Sequence, residues 1–244
     1  MRVLGVIPAR MASTRFPGKA LVDIAGKSML QRVFEQARKS PFLNEIIIAT
    51  DHEDIFKAAQ SFGAKVMMTS TKHQNGTERC AEVLANLNSN FDILINIQGD
   101  EPFFDPQNIE SLLSCFKQEE VQIASLVKRI EREEDISNPT VVKVVFNEKM
   151  KALYFSRAAI PFDREKVGIS FHKHIGIYAF RAEPLKDLVV LKPSRLESIE
   201  NLEQLRWLEN NYSIHLALTE HDSNSVDTPE DLLALKKQFK LADG

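Results

Sequence analysis

Over the first half of the chain, short β-branched runs alternate with longer stretches whose apolar positions recur at helical spacing. Val3–Ile7, Glu45–Ala49, Ala64–Met68, Asp92–Ile97 and Ile123–Val127 have the length and composition of strands. Between them, Ser28–Lys39, Glu53–Ser61, Glu78–Leu87 and Pro106–Phe116 read as helices. Leu30, Val33, Phe34 and Ala37 share one face of the first, Ser28 is placed to cap it, and Pro106 opens the last. Alternation at this spacing predicts βαβ units and a parallel sheet. Ligands of such sheets bind beyond the carboxyl ends of the strands, and the chemistry belongs there.

The pattern changes after about residue 130. Val141–Phe146 and Lys151–Phe155 flank Asn147-Glu148-Lys149, a hairpin-like connection, and Ile175–Phe180 alternates like a further strand. Glu197–Asn210 reads as a helix, Ser213–Leu218 as a strand and Pro229–Phe239 as a final helix, with Pro161–Gly168 as an exposed loop. The whole predicts one α/β domain over 1–244, three layers around a mainly parallel central sheet. A β-rich excursion at about 130–195 is the place for substrate specificity or dimer contacts.

The most informative segment follows the first strand: Pro8-Ala9-Arg10-Met11-Ala12-Ser13-Thr14-Arg15-Phe16-Pro17-Gly18-Lys19. Its cations, hydroxyls and glycine can wrap a triphosphate, with backbone N–H groups meeting phosphate oxygens and Arg10, Arg15 and Lys19 neutralising them. It is not a P-loop, because G-x-x-x-x-G-K-S/T is absent. Taken alone, the three cations also suit a solvated basic loop.

Two acidic turns complete the picture. Ile93–Ile97 runs into Gln98-Gly99-Asp100-Glu101-Pro102, and Val226-Asp227-Thr228-Pro229-Glu230-Asp231 precedes the last helix. Mg²⁺ at a phosphoryl site takes one or two carboxylates beside phosphate oxygens and water, and Asp100 and Asp227 are candidates for that pair. On local grounds Asp227 also reads as a plain helix start, and Asp100 as a turn residue.

Composition narrows the class. The 244 residues carry 31 Lys+Arg against 34 Asp+Glu, a net charge of −3, and are 43% hydrophobic. That is ordinary for a globular protein, and it lacks the basic footprint of a nucleic-acid binder. No apolar run approaches the ~18 residues of a membrane span. The start of the chain does not read as a signal peptide, since Val3–Ala9 is broken at once by Arg10. Cys80 and Cys115 form no C-x-x-C and are expected to stay reduced, in keeping with a cytoplasmic location.

The motifs, taken in order, resemble the 3-deoxy-D-manno-octulosonate (Kdo) cytidylyltransferases, or CMP-Kdo synthetases. They are IPARMASTRFPGKAL near the start, IIIATDH at 46–52, NGTERCAEV at 75–83 and INIQGDEP at 95–102. NPTVVKVV at 138–145, YFSRAAIP at 154–161, HKHIGIYAFR at 172–181, LESIENLEQLRWLENN at 196–211 and VDTPEDL at 226–232 complete the set. The resemblance implies a nucleotidyltransferase-type α/β sandwich. It also implies transfer of CMP from CTP to Kdo with Mg²⁺ and release of pyrophosphate, a homodimer, and a role in lipopolysaccharide synthesis in the cytoplasm.

Matched position by position, the resemblance makes Arg10, Ser13, Arg15 and Lys19 the phosphate binders, with Ala9 near the base. Gly76, Thr77 and Arg79 fall on the turn facing cytosine and triphosphate. Asp100 and Asp227 would hold Mg²⁺ and Gln98 would face the sugar. Catalysis would rest on Lys19, Arg15, Asp100 and Asp227. Arg157, His174 and Tyr178 would form the acceptor pocket, and Glu203, Gln204 and Arg206 its helical wall.

Local alternatives stand beside these roles: a surface ion pair for Arg157, strand packing for His174 and Tyr178, and an i,i+3 pair for Glu203 and Arg206. The chain departs from the family pattern at Asn75, Glu78, His52 and Ser225, none of which removes a charge the chemistry needs. Competing expectations are a synthetase for 8-amino-Kdo or a sialic-type acid, and a nucleotide-binding module without turnover.

Overall fold

The computed structural model describes residues 1–12, 15–87, 90–222 and 224–239. In chain order the elements are β1 (Val3–Ala9), β2 (Asp23–Ile24), β3 (Lys27–Ser28), α1 (Met29–Ala37), β4 (Glu45–Thr50) and α2 (Glu53–Ser61). Then come β5 (Lys65–Met68), α3 (Gly76–Asn86), β6 (Ile93–Asn96), α4 (Gln107–Cys115), β7 (Ile123–Arg129) and α5 (Glu133–Ser137). β8 (Lys143–Phe146), β9 (Ala152–Ser156), β10 (His172–Arg181), α6 (Ala182–Leu188), α7 (Arg195–Glu200), α8 (Gln204–Glu209), β11 (Ile214–Leu218) and α9 (Pro229–Gln238) follow. The chain divides into two compact units, one of residues 1–109 with 223–244 and one of residues 110–222. The second is wider than the excursion expected at 130–195.

In the first unit the sheet order is β6-β1-β4-β5, every pairing parallel. β1 and β6 are buried almost throughout, as parallel strands covered on both faces must be. The helices start where the sequence provides caps. Ser28 accepts from the Gln31 N–H at α1, and Asn75 accepts from the Glu78 N–H at α3. Thr228 and Asp231 form a capping box at α9, with Pro229 at its first turn. α9 lays Leu232 and Leu235 against Ile24, Met29 and Val226, which fixes the segment just before it.

The second unit is mixed. β11 runs parallel to β7, while β7–β10, β10–β8 and β8–β9 pair antiparallel. The β8–β9 pairing is the hairpin expected around Asn147. Trp207 is 1% exposed and meets Tyr178 and Phe180 edge-on at 5.1 and 5.3 Å. The expected single helix over Glu197–Asn210 is two helices. Asn201 ends α7 in the left-handed conformation (φ 52°), and α8 starts again at Gln204. Asn tolerates that conformation better than most residues, and apolar periodicity does not register such a stop. The short helices α5 and α6 were also unexpected.

Candidate active site

Both acidic turns belong to the first unit, and the backbone brings them together. β6 leads through Ile97 into Gln98-Gly99-Asp100, and the Val226 N–H donates to the Asp100 carbonyl at 2.9 Å. Gly99 is required there, because a Cβ would sit 2.7 Å from the Pro8 carbonyl oxygen at the end of β1. On the opposite side, Gly18 (φ 73°) folds the loop after β1 back, its N–H donating to the Met11 carbonyl at 3.1 Å. That turn delivers Lys19 to the carboxylates. Its Nζ lies 2.6 Å from Asp100 Oδ2, 2.9 Å from Asp227 Oδ1 and 3.3 Å from the Val226 carbonyl. Arg15 Nη2 is 2.9 Å from Asp227 Oδ2.

Burial works against the charge on Lys19, but Asp100 and then Asp227 outweigh it and hold the ammonium above the ordinary lysine range. Lys19 is therefore a fixed cation at neutral pH. Its pairing contributes in full below the ordinary lysine pKa and is lost only as pH climbs through the raised value.

A cavity of about 360 Å³ opens on this cluster, within the size range of small-molecule sites. Of the residues expected to bind nucleotide, Ala9, Arg10, Arg15, Lys19, Gly76, Arg79, Gln98 and Asp100 line it, as does Asp227, expected to hold the metal. Thr77 is buried in the first turn of α3 and is not among the lining residues. Ser13 lies outside the described residues. The N-terminus of α3 borders the cavity at Gly76, where helix N–H groups and the macrodipole favour an anion. Arg79 is 3% exposed and donates to Asp51 Oδ2 at 2.7 Å and to the Thr69 hydroxyl, which aims the guanidinium from below.

Among the lining residues that were not expected site residues, two carry polar side chains: His73 and Asn75. His73 is held by Glu82 through Nε2, with Glu78 3.6 Å from Nδ1. The available signal was position. His73 and Asn75 follow the carboxyl end of β5, the edge where this sheet places its other ligand residues.

Of the expected acceptor residues, Gln98 lies in the first unit, lining its cavity, and the others belong to the second, where the structure sorts them. His174 and Tyr178 are neighbours on β10, with ring centroids 5.3 Å apart. His174 Nε2 shares a 2.8 Å hydrogen bond with the Ser125 hydroxyl. The Tyr178 hydroxyl is buried and has no hydrogen-bond partner among the described residues. Burial, with the charge of Glu203, pushes its pKa well above the ordinary tyrosine value. Gln204 is buried. Arg157 lies against the α7–α8 turn. Its Nε, Nη1 and Nη2 donate to the carbonyls of Glu200, Pro139 and Asn201, which uses three of its five donors. Arg206 turns toward α7. It makes a bidentate pair with Glu197 at 2.7 and 2.6 Å.

Burial lowers the His174 pKa to about 3. The sign of the consequence follows from linkage. Between about pH 3 and the ordinary histidine value of 6.5 the unfolded chain takes up a proton that the folded chain refuses. Stability is therefore complete above that window and falls as pH drops through it, by roughly 2 kcal/mol at pH 5 from this residue. Urea midpoints measured from pH 7.5 to 5 should fall along this slope. His174→Asn should flatten it; an unchanged slope in that variant would exclude His174 as the source.

A parallel sheet that brings a cationic loop, a helix N-terminus and two carboxylates to one cavity defines a nucleotide-handling α/β enzyme of the nucleotidyltransferase class. The cytidylyltransferase family profile matches residues 4–214, and the chain belongs to that family. It is 46% identical to the 3-deoxy-manno-octulosonate cytidylyltransferase of Parabacteroides distasonis over 95% of this chain and 96% of the relative. It is 47% identical to the protein of that name from Thermodesulfovibrio yellowstonii over 97% and 98%. The solved structure of a CMP:2-keto-3-deoxy-manno-octonic acid synthetase complexed with CTP superposes with a TM-score of 0.93 at 38% identity, covering 98% of this chain and 99% of that one.

Proposed function

We propose that this chain transfers CMP from CTP to Kdo, releasing pyrophosphate and supplying activated Kdo for lipopolysaccharide synthesis. The observation that carries the reading is the convergence of Lys19 and Arg15 on Asp100 and Asp227 inside a cavity bordered by the α3 N-terminus. The relatives named above support the choice of nucleotide and acceptor.

In this reaction the anomeric hydroxyl of Kdo attacks the α-phosphorus of CTP. A P–O bond to the sugar forms, the α–β P–O bond breaks, and the hydroxyl proton is lost to the medium. Catalysis is positioning and charge stabilisation. Arg10, Arg15 and Lys19 bind the triphosphate, and Lys19 and Arg15 stabilise charge gathering on pyrophosphate. Asp100 and Asp227 would hold Mg²⁺. The donor set fits, since two carboxylates already share one cation and leave phosphate oxygens and water to complete a shell. When bound, Mg²⁺ supplies charge neutralisation at the phosphate and acidifies a coordinated hydroxyl.

For the acceptor, the unpartnered Tyr178 hydroxyl, the neutral His174 and the two remaining Arg157 donors suit an acidic, hydroxyl-rich sugar. The reading extends to a cytoplasmic homodimer. Among the described residues no helix is long and apolar enough to cross a membrane. Leu153, Phe162 and Val167 are exposed apolar side chains within the expected excursion, of the kind that protein contacts cover.

The test is pyrophosphate release with Mg²⁺ across CTP, UTP, ATP and GTP against Kdo, 8-amino-Kdo and N-acetylneuraminate. Release with CTP and Kdo alone is expected. Preference for another acid would keep the chemistry and change the acceptor. No release from folded, CTP-binding protein would favour a nucleotide-binding module.

A further inference from the structure

We propose that Lys19 holds the metal's place in the free protein, so that Lys19 and Arg15 exchange carboxylates for phosphates when nucleotide and metal bind together. The inference rests on the assignment of the metal to Asp100 and Asp227. Three oxygens, one from each carboxylate and one from the Val226 carbonyl, converge on the Lys19 ammonium at 2.6, 2.9 and 3.3 Å. Arg15 covers the other Asp227 oxygen. Both oxygens of Asp227 are therefore occupied by cations, Lys19 and Arg15, that also line the nucleotide cavity. A divalent ion arriving alone must displace Lys19 and leave that half-buried ammonium without a counter-charge. A triphosphate arriving alone must pull Lys19 and Arg15 off carboxylates that then face each other unneutralised. Arriving together, the two ligands supply both replacements: phosphates for the cations, metal for the carboxylates.

Arg10 makes the first step available. It is exposed, lines the same cavity and forms no ion pair among the described residues. Phosphates can engage it before Lys19 and Arg15 let go. Each ligand thus raises the affinity for the other, and linkage makes that coupling reciprocal. The device also keeps the carboxylate pair closed to stray divalent ions when no nucleotide is present.

Mn²⁺ is the probe. Free Mn²⁺ is counted by electron paramagnetic resonance against wild type, Lys19→Met and Lys19→Met/Asp227→Asn, all without nucleotide. Lys19→Met is expected to bind Mn²⁺ at least tenfold more tightly than wild type, and Asp227→Asn in that background to abolish the gain. Mn²⁺ should also raise the melting temperature of Lys19→Met by more than that of wild type. If Lys19→Met fails to fold, Lys19→Gln keeps a donor while removing the charge. Affinities of wild type and variant within twofold of each other, or a gain that survives Asp227→Asn, would overturn the proposal. A companion titration separates its failure from failure of the metal assignment. With CTP present, Asp227→Asn should lose the Mn²⁺-dependent enhancement of water relaxation. Full enhancement in that variant would overturn the assignment and the exchange together. Its loss, without a gain in Lys19→Met, would overturn the exchange alone.

Discussion

Asp100→Asn and Asp227→Asn should each lower pyrophosphate release with CTP and Kdo by about 10³-fold in kcat, with a small loss of stability. Each substitution keeps the shape and one oxygen acceptor but removes half of the negative charge that the site offers a cation. Lys19 retains its other carboxylate in either variant, at 2.6 Å from Asp100 or 2.9 Å from Asp227. The cost to folding is then about 1.5 kcal/mol, the low end for a charge-assisted hydrogen bond. Asp227→Asn also releases Arg15, whose side chain is 65% exposed, and so adds little further loss. Stopped-time assays for turnover and urea unfolding for stability measure the two effects separately. Either variant keeping more than a tenth of wild-type kcat would remove the two-carboxylate mechanism.

How much of this was legible beforehand depended on whether local pattern or long-range contact decided it. The parallel strands of the first unit are continuous apolar runs, and the caps at Ser28 and Thr228 are local chemistry, so both could be read from the chain. Position after a buried strand pointed to the loop of Arg10, Arg15 and Lys19. Nothing local said that Lys19 would lie between two carboxylates far apart in sequence. That follows from α9 packing on Ile24 and Met29 and from the Val226–Asp100 hydrogen bond. His73 was missed because a single histidine in a polar turn carries no pattern of its own. The break at Asn201 was missed because the apolar positions on either side of it, Ile199, Leu202 and Leu205, keep a helical i,i+3 spacing. That break also redirected Arg206. After the break, α8 folds back beside α7, and Arg206 meets Glu197 there.

Arg206→Ala should consequently behave as a folding defect, costing about 3–4 kcal/mol. The pair is enclosed, with side-chain exposures of 8% and 15% for Arg206 and Glu197. Arg206 adds a 3.2 Å bond from Nη1 to the Leu191 carbonyl. Glu197 also closes the capping box of α7 by accepting from the Ser194 N–H at 3.0 Å. Burial by itself would raise the Glu197 pKa, and Arg206 with the Ser194 N–H overcomes it and holds the carboxyl below its ordinary range. That stabilisation is present above the unfolded carboxylate value and is lost as pH falls through the lowered one. Removing Arg206 leaves a half-buried carboxylate without its cation, which is costlier than removing both partners. Glu197→Gln with Arg206→Met should accordingly recover much of the single-variant loss in a double-mutant cycle. The deficit of Arg206→Ala should also shrink as the medium becomes acid enough to protonate Glu197. Urea unfolding at pH 7.5 and pH 4.5 reads both effects. The opposite pattern, wild-type stability with a raised KM for Kdo and an unchanged KM for CTP, would return Arg206 to the wall of the acceptor pocket.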